Sequence, residues 1–265
     1  MKWTRGFLIL ALFPSLSTSA FFEGTAAAQN RITISSPETL KTRLLKGSEA
    51  DITELASDLQ LIIPHWEYWQ VTEDSPCTMI TSLEWKVVSL THPGNQAVAV
   101  IYSLHCEHTY LVAFERTPTG SWRHLDTVPL WSKYNQPDIS WESLISDGTK
   151  EMIADDCTVD SGTGIVQTDL IIFKLFSDRL QVILEAPKHE VYDVAPAPRA
   201  QQDQSQDSTF SFIQAGNGPA TSMKQVLEKR VMRDHAKTLT QWWAYVWIPE
   251  IRRFRAIRTY PPARP

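Results

Sequence analysis

Tyr110-Leu-Val-Ala-Phe-Glu-Arg-Thr-Pro-Thr-Gly-Ser-Trp122-Arg-His-Leu125 is an apolar run, a polar turn, and a second strand opening on an aromatic residue. Tyr, Val and Phe suit a pleated, half-buried backbone, and Thr117-Pro-Thr-Gly120 supplies the residues that reverse it. The same design recurs in Leu170-Ile-Ile-Phe-Lys-Leu-Phe-Ser-Asp-Arg-Leu180-Gln-Val-Ile-Leu184 and in Ala244-Tyr-Val-Trp-Ile-Pro-Glu-Ile-Arg-Arg-Phe254-Arg-Ala-Ile257. A hairpin met three times predicts a mainly β protein made of repeated antiparallel modules.

Each hairpin is preceded by two further strand patterns. Module one reads as strands over Leu83–Leu90, Ala97–Leu104, His108–Arg116 and Trp122–Thr127. Module two reads as Trp141–Ile145, Lys150–Ala154, Val166–Leu175 and Leu180–Glu185, and module three as Thr209–Gln214, Gln225–Met232, Thr240–Trp247 and Arg253–Ile257. Uninterrupted apolar stretches such as Leu170–Phe173 predict strands covered on both faces, as stacked sheets produce. Ten tryptophans give those sheets bulky, rigid core material. Two short helices should precede the strands. Ser36-Pro37 is an N-cap with proline at N1, leading to Leu40, Leu44 and Leu45, and Ser48-Glu-Ala-Asp51 resembles a capping box before Ile52, Leu55, Ala56 and Leu59.

The ends and joints follow from composition. Residues 1–28 read as a secretory signal: Lys2 and Arg5 precede the apolar run Gly6–Leu16, which is shorter than the ~20 residues of a membrane span. Cleavage fits after Ala20 or after Ala28, with Ala28 favoured because Phe21-Phe22 would make a sticky mature terminus. The expected localisation is therefore exported, periplasmic or secreted, with no membrane span once the signal is removed. Residues 29–81 form the helical lead-in and residues 82–193 two β modules. Val194–Asp207, rich in Pro, Gln and Ala, reads as a flexible linker, followed by a third, basic module over 208–258 and a proline-rich tail over 259–265.

Charge divides along the chain. Gln29–Asp207 holds 13 Lys/Arg against 26 Asp/Glu, a net of −13, whereas Ser208–Pro265 holds 10 against 3, a net of +7. Two readings follow: a basic module docked on an acidic body, or a surface for an anionic partner. Nucleic acid is not expected as a partner, because duplex binding needs a sustained positive footprint that an acidic body lacks.

Aligning the modules places the connections between their second and third strands on one face. These are His105-Cys-Glu-His108, Asp155-Asp-Cys-Thr-Val-Asp160 and Arg233-Asp-His-Ala-Lys237. Imidazole and carboxylate there make His105, His108, Asp155 and Asp156, with His235, a candidate site for zinc or a similar divalent metal. The competing reading needs no cofactor: Cys106 pairs with Cys157, or with Cys77, and the neighbours are ordinary polar residues. Three cysteines in an oxidising compartment leave one thiol over within a monomer. Trp66 and Trp69, in His65-Trp-Glu-Tyr-Trp69, and Trp243, which shares a face with Tyr245 and Trp247, are candidates for stacking on a sugar. Packing in a sheet is the alternative for each. No Gly-x-Ser-x-Gly, His-Glu-x-x-His or phosphate-binding glycine loop occurs.

Four antiparallel strands per ~50-residue unit suit a propeller blade. Ser146-Asp-Gly-Thr-Lys-Glu-Met-Ile153 resembles the Asp-Gly-x-x-Glu-(Ile/Val) segment of FG-GAP or VCBS-type blade repeats. The resemblance covers one module and implies a propeller-blade-like unit. The family's calcium loop, a run of alternating aspartates, is missing from Ser143-Leu-Ile-Ser-Asp147-Gly148. Three modules fall short of the roughly four to eight blades that close a propeller, so stacked sheets are the other expectation. The function these features predict is non-catalytic binding of a protein or cell-envelope polymer. A metal-dependent hydrolase and a carbohydrate-binding module are the alternatives.

Overall fold

The computed structural model describes residues 32–63, 75–91, 95–103, 107–131, 136–145, 147–160, 165–192, 204–214, 224–234 and 237–259. The signal segment, His65–Trp69, His105, Cys106 and His235 lie outside the described residues. Those from Arg31 onward belong to one compact unit.

Both expected helices form. Helix α1 (Pro37–Lys46) is capped by Ser36, whose hydroxyl accepts from Thr39 N at 3.1 Å. Helix α2 (Glu49–Asp58) has the full capping box, with Ser48 and Asp51 exchanging backbone and side-chain bonds. Gly47 allows the sharp joint between them, because a Cβ there would meet Arg43 O at 2.4 Å.

The strands are β1 (Thr33–Ile34), β2 (Ile62–Ile63), β3 (Ser75–Pro76), β4 (Ser82–Val88), β5 (Gln96–Ser103), β6 (His108–Arg116), β7 (Trp122–Trp131), β8 (Ile139–Glu142), β9 (Glu151–Asp160), β10 (Ile165–Phe176), β11 (Arg179–Tyr192), β12 (Gln204–Gln214), β13 (Lys224–Asp234), β14 (Lys237–Ile248) and β15 (Arg253–Thr259). Sheet one has the order β1-β7-β6-β5-β4, and sheet two runs β15-β14-β13-β12-β11-β10-β9-β8. Every pairing is antiparallel. The four-stranded modules are present, since β4–β7, β8–β11 and β12–β15 are each a meander closed by one of the three hairpins.

Three apolar layers explain the uninterrupted hydrophobic runs. On β5, Ala97, Ala99 and Ile101 face Leu40, Leu44, Leu55 and Leu59 of the helical layer. Its alternate residues Val98, Val100 and Tyr102 face Ile171, Phe173 and Leu175 of β10. The other side of β10, Leu170 and Ile172, packs with Val226, Tyr245 and Phe254 from the C-terminal strands. Helices, sheet one, the first half of sheet two and its second half therefore stack in succession, and β5, β6 and β10 are covered on both faces. Sheet two achieves this by curling. Lys224 N donates to Leu144 O at 2.8 Å, and the Arg252 guanidinium lies 5.1 Å from the Phe176 ring, each closing a distant part of the sheet back on itself. Register shifts in β11 near Ile183 and Lys188 mark bulges, which strengthen local bending.

Two expectations are corrected here. Modules two and three are one sheet: His189–Tyr192 of β11 pair with Gln204–Asp207 of β12. The last four residues of the expected linker are therefore strand, and a cross-strand partner overrides their polar composition. The Asp155–Asp160 segment is not a loop either, because β9 runs through it to Asp160 and pairs in full register with β10.

Candidate functional site

The proposed metal quartet does not converge among its described members. Asp155 is ion-paired with Lys188. Alternation along β9 turns Asp156 the other way, toward sheet one, where Oδ1 accepts from Trp131 N at 2.5 Å. His108 is 2% exposed, and its ring lies 4.5 Å from Trp131. Among the described residues no three His, Cys, Asp or Glu side chains are grouped to hold a metal. Burial pushes the Asp156 carboxyl up to about 7, helped by the neighbouring Asp169 and Glu185. Cys157 is a free thiol, half-buried in β9, which removes the Cys106–Cys157 pairing. Cys77 is disulfide-bonded.

Trp243, offered as a stacking surface, instead faces the interior of the curl. It packs against the core cluster beneath β14, with the Arg230 guanidinium 5.4 Å from its ring. The two other stacking candidates, Trp66 and Trp69, lie outside the described residues.

Two buried polar networks lie among the strands of sheet two. The Lys174 ammonium, on β10, donates to Glu151 Oε1 and Thr149 Oγ1, both at 2.6 Å, and lies 2.8 Å from Asp147 Oδ2. Glu151 Oε2 accepts from Leu144 N at 2.7 Å. The carboxylates of the Asp147-Gly-x-x-Glu151 segment thus gather around an internal cation. In the second network Glu228, wholly buried on β13, accepts from Ser208 Oγ, Arg230 Nε and Tyr245 OH at 2.6, 2.7 and 2.6 Å. Sequence spacing signals neither network, since each joins residues from different strands.

The surface that offers chemistry to a partner is the outward face of β12–β15. Strand β14 carries Trp242-Trp-Ala-Tyr-Val-Trp-Ile248, a run apolar on both faces. Its inward residues Trp243, Tyr245 and Trp247 are packed in the curl. The alternate residues Trp242, Ala244, Val246 and Ile248 face outward beside Lys229, Ile257, Arg255 and Arg253 in register. Ile257 is 51% exposed, and the Lys229 ammonium stands 6.0 Å from the Trp242 ring. Thr209, Ser211, Arg253 and Arg255 are exposed around it. Asp207, on the same side of β12, is held by His189 and Arg233, which keep its carboxyl below the usual range despite partial burial. Neither Lys229 nor Arg255 has a carboxylate within ion-pair distance among the described residues. The strip thus lies beside the Lys229 ammonium and the Arg255 guanidinium.

Comparison with protein-family models, with curated proteins and with solved structures finds no match.

Proposed function

We propose that this chain is an exported β-sheet protein that binds a protein or cell-envelope partner and performs no chemistry on it. The carrying observation is the outward face of β12–β15, where the exposed Ile257 and the half-buried Trp242 and Val246 lie beside Lys229, Arg253 and Arg255. A strand apolar on both sides normally has both sides covered, and here the outer side is covered only in part: Ala244 is buried, Trp242, Val246 and Ile248 are half-buried. Cations in that position favour a partner bearing negative charge, through steering and through contact. The export reading rests on the Lys2, Arg5 and Gly6–Leu16 pattern. It agrees with a bridged Cys77, for which Cys106 is the remaining partner once Cys157 is free.

The test is site-specific photo-crosslinking in intact cells, with the reactive residue at Ile257 and, as a control, at Lys41 on the exposed side of α1. Adducts formed at 257 and lost with Lys229→Glu/Arg255→Glu support the reading. Equal adducts from both positions, or none from 257, would overturn it.

A further inference from the structure

We propose that the cleft between β4 and β8 binds an extended peptide segment carrying carboxylate side chains, which adds to the open sheet edges there. This site is separate from the β12–β15 face and goes beyond the function proposed above.

The two strands are the terminal members of different sheets, and they lie on the same side of the stack. Among the described residues β4 pairs with β5 alone and β8 with β9 alone. Each therefore turns a row of backbone N–H and C=O groups outward, the template on which an extended chain forms a new strand. Between them the seam of the sandwich opens into a cleft of about 380 Å³, within the size range of ligand sites. Its floor is apolar, with Val88, Ile139 and Trp141 at the margin of the core shared by the two sheets. Lys150 N donates to Ser89 O at 2.7 Å, which ties the two walls together.

The rim selects the ligand's charge. Lys86, from β4, and Lys150, from the segment entering β9, both line the cleft. Neither has a carboxylate partner among the described residues. Lysine on an edge strand commonly points into solvent and blocks pairing. Lys86, though exposed, leans across the seam, its ammonium 5.5 Å from the Trp141 ring, which places the charge at the rim of the cleft. Val87, the next residue on β4, is 55% exposed and leaves an apolar step beside it. Alternating acidic and β-branched side chains on a bound strand would meet those two features in turn, since successive side chains point to opposite faces.

The experiment uses the full mature chain and two fluorescein-labelled peptides, one alternating Glu with Val and Thr, the other with Lys in place of each Glu. Saturable anisotropy change is expected with the acidic peptide alone. Lys86→Glu/Lys150→Glu should weaken it at least tenfold and create binding of the basic peptide, with the thermal unfolding curve unchanged. Should that pair fail to fold, Lys150→Glu alone, an exposed change, should give a smaller loss of the same sign. Hydrogen exchange should slow at backbone amides of 82–88 and 139–142 on binding. Equal affinity for both peptides, affinity indifferent to the charge swap, or slowing confined to other strands would each overturn the proposal. Displacement of the peptide by equimolar acetate or phosphate would also overturn it, since the site would then hold an anion and no strand. Lys229→Glu/Arg255→Glu should leave peptide binding intact, so failure at either surface does not decide the other.

Discussion

Lys174 Nζ lies 2.6 Å from Glu151 Oε1 between neighbouring strands β10 and β9 of sheet two, the lysine side chain 5% exposed and the glutamate not at all. Such a pair is expensive to bury, and removing one member strands the other's charge. Lys174→Met should therefore lower the unfolding free energy by about 3–5 kcal/mol. The double change Lys174→Met/Glu151→Leu, which leaves no buried charge and strips only the part-exposed Asp147 of its cation and Leu144 N of its acceptor, should recover part of the loss. Urea unfolding of the three proteins near neutral pH measures both effects.

Asp156 supplies a pH signature. Its folded value of about 7 stands above its ordinary 3.8, so the folded chain binds the extra proton between these values. Stability from this group is fully present below 3.8 and is lost as pH rises through about 7. Asp156→Asn keeps an acceptor for Trp131 N–H but carries no charge. The variant should match the parent near pH ~4 and exceed it near pH ~8 by on the order of 2 kcal/mol. A gap that is constant across denaturation curves at both pH values would reject burial of Asp156 as its cause.

Tyr245→Phe removes one of the donors to the buried Glu228 carboxylate, Tyr245 OH at 2.6 Å, without opening a cavity. A loss of about 1–3 kcal/mol is expected, the penalty of leaving a buried acceptor short of a partner. Thermal unfolding reads it, and Ser208→Ala should act in the same direction.

Thiol mapping under non-reducing conditions should find Cys157 alkylated and Cys77 linked to Cys106. Reduction should then cost about 3–4 kcal/mol in the chain-entropy account, for a loop of roughly 30 residues. Recovery of a peptide linking Cys157 to either other cysteine would contradict the free thiol of β9.

The strands were legible because their signals are local. Tyr110–Arg116, Leu170–Phe176 and Ala244–Ile248 carry the apolar and β-branched residues of a pleated backbone, and each is followed by residues that turn it. Ser177 and Asp178 both adopt positive φ between β10 and β11, a two-residue reversal that their small polar side chains tolerate. Ser36 and Ser48 marked the helix starts for the same reason, since a cap is made by a side chain and an amide three residues away. The loop expected at Asp155–Asp160 is strand instead, because its aspartates look like loop chemistry only in isolation. Pairing with Asp169 and Leu170 of β10 holds them in strand, at the cost of a raised carboxyl pKa.

By itself the sequence determined that the chain makes antiparallel strands in groups of four, where its helices begin, and that its C-terminal segment is basic. Each of these depends on residues a few positions apart. The tertiary structure alone decided that β8–β15 form one curled sheet, that Lys174 is the cation among Asp147, Thr149 and Glu151, and that β4 and β8 leave a cleft between them. Those outcomes depend on which distant strands come to lie together, and the free energy that selects them is burial shared between residues far apart in the chain.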